Sequence, residues 1–104
     1  MPLTPEQVNA LADALLASER SRSPIEPLTD SHPDLQMAEA YAVQAALVAR
    51  RIAAGERLLG WKVGLTSVAV QRMLGVDRPD FGHLFAGMLV ASGGEVRHGD
   101  LIRP

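Results

Sequence analysis

The chain has 104 residues, a formal charge of -2 from 10 basic and 12 acidic residues, and 47% hydrophobic residues. That is enough for one compact domain with a single modest core, and the balance excludes both a disordered polyelectrolyte and a bulk nucleic-acid footprint. With no cysteine, a disulfide scaffold, a thiolate nucleophile and a cysteine-based zinc site are excluded as well.

The opening residues MPLTPEQVNA lack the basic and apolar regions of a signal peptide, and no stretch approaches the roughly 20 apolar residues of a membrane span. A cytoplasmic protein with no membrane partner is expected. Thr4-Pro5-Glu6-Gln7 has the form of a capping box, with Thr4 as N-cap, Pro5 at the first helical position and Leu3 and Val8 as the staple. Val8, Leu11, Ala12, Leu15 and Leu16 recur at helical spacing, so a helix is predicted to about Ser18. The stretch SERSRSPIEPLTDSHPD that follows has three prolines and no period, which predicts an extended connector.

A second helix is predicted over LQMAEAYAVQAALVARRIAA, with Met37, Tyr41, Val48 and Ile52 on its apolar side. Arg50 and Arg51 suit its C-terminal dipole, and Gly55 is its stop. From Leu58 the period changes to two: Leu59, Trp61, Val63 and Leu65 alternate with Gly60, Lys62, Gly64 and Thr66. This is a strand with a bulky face expected to be buried and a second face that carries Lys62 between two glycines. Ser67 caps a short helix with Val70, Met73 and Leu74 inward, ended by Gly75. VDRPDFG is read as a turn that presents Asp80 from a constrained loop. Short strands around a Gly93-Gly94 hairpin turn complete the chain. The fold class is α+β, helical over 1–55 and α/β over 56–104.

Lys62 is the sole lysine. It is either a lysine snorkelling to solvent or a substrate-anion and proton-transfer group. Asp80 is either a solvated turn carboxylate or, one short helix after Lys62, its acid–base partner. His32, His83 and His98 lack ligand spacing, and Asp77, Glu95 and Asp100 read as solvated. The glycines match neither the dinucleotide fingerprint nor the Walker motif, and there is no nucleophile elbow.

Taken together, PDLQMAEAYAVQ, GWKVGLTSVAVQRMLGVDRPDFGHLFAGM and GDLIRP resemble the N-terminal part of the 2-keto-4-pentenoate hydratase family, within the fumarylacetoacetate hydrolase-like superfamily. The resemblance implies a metal-dependent hydro-lyase of aromatic catabolism that adds water to 2-hydroxypenta-2,4-dienoate, giving 4-hydroxy-2-oxopentanoate. It also implies a homo-oligomer. The family lysine falls on Lys62 and the loop aspartate on Asp80, for substrate positioning and proton transfer.

The family's Mg²⁺ or Mn²⁺ is held by a Glu-x-Glu pair and a third carboxylate that would lie beyond Pro104. The resemblance therefore implies an incomplete fumarylacetoacetase-like fold without its metal-bearing β-rich domain, with no cofactor site in this chain and no hydration by the chain alone. Two other readings stand beside it: a 4-oxalocrotonate decarboxylase-like fragment, and a non-catalytic oligomerisation module using the Leu11/Leu15 and Tyr41/Val48 stripes.

Overall fold

A computed structural model describes residues 2–103. The chain divides into two compact units, one running through Ala54 and resuming at Val90, the other Gly55–Leu89. The stretch from Val90 onward thus groups with the helical unit and not with the α/β segment.

In the first unit, α1 (Pro5–Ser21) starts as the sequence dictates: Thr4 Oγ1 accepts from Gln7 N–H, and the Gln7 side chain accepts from Thr4 N–H. The reciprocal bonds satisfy two of the donors that a helix start leaves open. The helix runs three residues past the predicted end and stops at Arg22, whose φ of 54° lets its N–H bond back to Ser18 and Glu19 carbonyls. The connector is not wholly extended, because Leu28–Ser31 forms one helical turn, α2. Helix α3 (Met37–Ala53) is followed by Gly55 at φ 93°, the left-handed conformation that glycine enters without a Cβ clash.

The core joins α1 to α3 through Leu11, Ala12 and Val43, with Leu3, Val8, Leu15, Leu28, Ala46 and Leu47 packed around them. The α1 stripe is therefore the one read from the sequence. That of α3 is not: Met37 and Ile52 are exposed, whereas Val43 is buried. An alanine-rich helix offers small apolar residues on several sides, so the position of its few large ones does not fix which side packs. Arg51 is buried and pairs with Glu19 of α1, while Arg50 bonds Asp13 at 2.6 Å, so the two arginines tie α3 to α1.

In the second unit, β1 (Leu58–Gly64) pairs antiparallel with β2 (Asp80–Phe85), and α4 (Val68–Leu74) lies between them in sequence. Ser67 accepts from Val70 N–H and Gly75 takes a φ of 74°, both as predicted. Two expectations fail here. Asp80 opens β2 and is not in a loop, because Pro79, which has no N–H to offer a ladder, is followed by a run whose alternation continues to Phe85. Trp61, Val63, Val70, Met73 and Leu74 are not buried.

Beyond β2 the described residues form no strand. Gly94 N–H closes a turn on Ala91 O at 2.8 Å, with Ser92 and Gly93 at its centre. A turn needs two paired flanks to be a hairpin, and Val90 and Glu95 to Arg97 have no partner strand. No helix among the described residues is long and apolar enough to cross a membrane.

The N-terminal segment is fastened by one carboxylate. Glu39 Oε1 accepts from Gln36 N–H at 2.9 Å and Oε2 from Leu3 N–H at 2.5 Å. These bonds to the charged form, Gln36 first and Leu3 second, hold the Glu39 carboxyl below the usual glutamate range. A depressed acid stabilises the fold above its ordinary pKa, and the contribution is lost as pH falls through the depressed one. Glu39→Gln should therefore lower the thermal midpoint at pH 7, and the gap to wild type should narrow at a pH below the ordinary glutamate range. Parallel melts by circular dichroism at both pH values check this.

Candidate active site

Register places the two candidate residues. The pairs Gly60–Leu84, Lys62–Gly82 and Gly64–Asp80 share one face of the ribbon, and Trp61–His83 and Val63–Phe81 share the other. Ring centroids of Trp61 and His83 are 6.2 Å apart on that second face. A residue shift between Leu58 and Gly60 inserts Leu59 as a bulge at the far end. Lys62 and Asp80, separated by 18 positions in sequence, thus stand on neighbouring rungs of one surface.

Two glycines make that surface usable. A Cβ at Gly82 would lie 3.3 Å from Lys62 Cε and 3.5 Å from its Cγ, so the lysine stem lies flat across Gly82. A Cβ at Gly64 would overlap Asp80 Oδ1 and sit 3.5 Å from Lys62 Nζ. The ammonium and the carboxylate therefore converge over the bare backbone of Gly64. A cation and a carboxylate side by side can hold an anion at one point and accept or return a proton at the next.

Beyond Lys62, at the Gly60–Leu84 end of the ribbon, a recess of about 340 Å³ has a lining that includes Gly60 and Leu84 from the Lys62 face and Trp61 from the other, with Leu59, Phe85 and Met88. It is apolar, in contrast to the charged end of the ribbon.

The sequence singles out Lys62 and Asp80, and the structure brings them together on one face; the sequence does not single out Gly82, Gly64's contact with the carboxylate, or Leu84. Pairing GWKVG against DFGHL as two antiparallel strands would have exposed all three. The structure does not bring the histidines to this face: His83 is on the opposite one and His32 bonds Ser31 Oγ through Nδ1 at 2.8 Å in the helical unit. Asp77 is engaged by its neighbour, the Arg78 guanidinium, whose hydrogen bond and charge hold its carboxyl below the usual range.

No group of three or more His, Cys, Asp or Glu side chains among the described residues could hold a metal ion. Asp80 is a single carboxylate beside an ammonium, which repels a cation. These residues by themselves do not fit a divalent metal.

Comparison with known proteins gives the same segment a context. No family model matches the chain. The 2-keto-4-pentenoate hydratase of Paraburkholderia xenovorans is 49% identical over 86 residues, which is 83% of this chain and 32% of that protein. The 2-keto-4-pentenoate hydratase 2 of Dechloromonas aromatica is 48% identical over 102 residues, 98% of this chain and 38% of its own length.

Among solved structures, the 4-oxalocrotonate decarboxylase of Pseudomonas putida G7, complexed with magnesium and adipate, superposes with a TM-score of 0.81 at 38% identity. The match covers 85% of this chain and 34% of that one. By sequence the chain corresponds to the N-terminal portion of the 2-keto-4-pentenoate hydratases. It spans about a third of the length of the curated relatives it matches.

Gly64→Ala should leave the fold intact, because the overlapped carboxylate can rotate away, but it should expel Asp80 from the shared face. In ¹H–¹⁵N and side-chain NMR spectra the Asp80 and Lys62 signals should move together. Gly60→Ala, which meets nothing within 4 Å, is the matched control and should leave both in place.

Proposed function

We propose that Gly55–Leu89 supplies the substrate-positioning and proton-transfer half of a hydro-lyase site, acting on 2-hydroxypenta-2,4-dienoate within a fragment of the fumarylacetoacetase-like fold. The observation that carries this is the convergence of Lys62 Nζ and Asp80 Oδ1 over Gly64. The names of the relatives supply the reaction, and the ribbon supplies groups with matching chemistry.

In this reading Lys62 pairs with the substrate carboxylate, and its strand anchors the acid end. Asp80 accepts the proton of the 2-hydroxyl as the dienol becomes a 2-oxo acid, and a proton is returned at C5, which leaves the C3=C4 double bond conjugated to the 2-oxo group. Water then adds across the remaining double bond, its hydroxyl going to C4 and its proton to C3. The hydrocarbon tail lies toward Leu84, on the next rung of the same face. A divalent metal such as the magnesium of the decarboxylase neighbour, if bound beside this face, would stabilise the negative charge on the 2-oxo oxygen. This chain's own residues are left with the two tasks of holding the acid and moving the proton. A homo-oligomer is part of the same proposal.

The likeness to a decarboxylase favours a second reading of the same face. There Lys62 would hold a carboxylate of a dicarboxylic 2-oxo acid, and loss of CO₂ would replace water addition.

Two measurements test the proposal. In a hybrid where these residues replace the matching segment of the P. xenovorans hydratase, Lys62→Ala should lower turnover by about 10²-fold or more. Arg57→Ala should change it by less than about threefold, a contrast judged against the size of general acid–base effects. Equal losses would overturn the assignment, and CO₂ release from 4-oxalocrotonate in place of hydration would select the second reading. For the 104-residue chain itself, millimolar Mg²⁺ or Mn²⁺ should not raise the thermal midpoint above a monovalent-salt control of equal ionic strength. A rise of several degrees would show a metal site that these residues do not explain.

A further inference from the structure

Leu65 immediately follows the Gly64–Asp80 rung and has a φ of 54°. Apart from Arg22 at the α1 cap, it is the one non-glycine residue with positive φ among those described. A branched, bulky side chain in that region is disfavoured, and such a conformation persists only where neighbouring contacts impose it. One contact is available: the side-chain amide of Gln71, on α4, donates to Leu65 O at 2.7 Å. Gln71 is itself fixed, since its N–H donates to Ser67 O at 3.0 Å and its carbonyl accepts from Val76 N–H at 2.9 Å. The side chain therefore spans from a capped helix to the first residue beyond the ladder.

We propose that Gln71 is a positioning residue for the Lys62–Asp80 site. By clamping the Leu65 carbonyl it holds the left-handed kink that ends β1 at Gly64, and so fixes the rung on which Asp80 meets the lysine head. The proposal rests on the assignment of Lys62 and Asp80 made above. Without the clamp, Leu65 relaxes to negative φ and the chain leaves Gly64 in another direction. The last rung then opens, and Asp80, the first residue of β2, loses its partner.

Leu65→Gly provides an independent handle, because glycine adopts positive φ without the clamp. In the 104-residue chain, Gln71→Met, which keeps length and removes the donor, should change the Leu65 HN–Hα coupling to that of a negative φ and shift the Gly64 and Asp80 amide signals. The Trp61 and His83 signals at the middle of the ladder should stay put. In the hybrid enzyme, Gln71→Met should lower kcat about tenfold or more with KM changed less than about threefold, and adding Leu65→Gly should restore most of the loss.

An unchanged Leu65 coupling, or a kcat loss that Leu65→Gly fails to restore, would overturn the clamp. Lys62→Ala in the same hybrid separates the two ideas: if it is also silent, the site assignment has failed, and if it alone is damaging, only the clamp has.

Discussion

Everything argued for this protein depends on the register of a two-stranded ribbon. Side chains on a strand alternate between faces, so pairing Lys62 with Gly82 and Gly64 with Asp80 puts an ammonium, a carboxylate and two bare backbones on one surface. A slip of one residue would move the partner strand's whole set to the other face. Asp80 would then lie with Trp61 and Val63, and Lys62 would face Phe81 or His83. The Leu59 bulge at one end and the Leu65 kink at the other bracket the ladder, and both oppose such a slip.

Glycine has two distinct uses in this unit. At Gly75 the need is conformational, because the chain turns left-handed to leave α4. At Gly64 and Gly82 the need is for space, since any Cβ would lie against the lysine stem or the aspartate oxygen. A surface so floored leaves the two charged heads open from above, and an apolar recess lies at the Gly60–Leu84 end of the ribbon.

Much of this was legible in the sequence, for identifiable reasons. Local rules with a single physical cause held: the capping box at Thr4, the Ser67 cap, the glycine stops at 55 and 75, and the period-two run from Leu58. That Lys62 and Asp80 come near each other was legible as well, though the register that does it was not. Reading Asp80 as a loop residue hid its rung, because Pro79 draws attention as a turn former when it also fits the position just before a strand.

Burial was the least legible property. Trp61, Val63 and Met73 have the patterning of a core and are exposed at 66%, 53% and 75%. Periodicity shows which residues share a face, but whether that face is covered depends on partners that the pattern does not contain. The α3 face failed for a related reason: Ala46 and Leu47 joined Val43 in the core, and the larger Met37 and Ile52 did not.

The most direct test of the account is the nuclear Overhauser pattern across the ribbon. The register predicts contacts from the Lys62 side-chain methylenes to the Gly82 α-protons and from the Gly64 α-protons to the Asp80 β-protons. Contacts from Lys62 to Phe81 or His83 in their place would mean a shifted ladder, with lysine and aspartate on opposite faces, and would contradict the shared site.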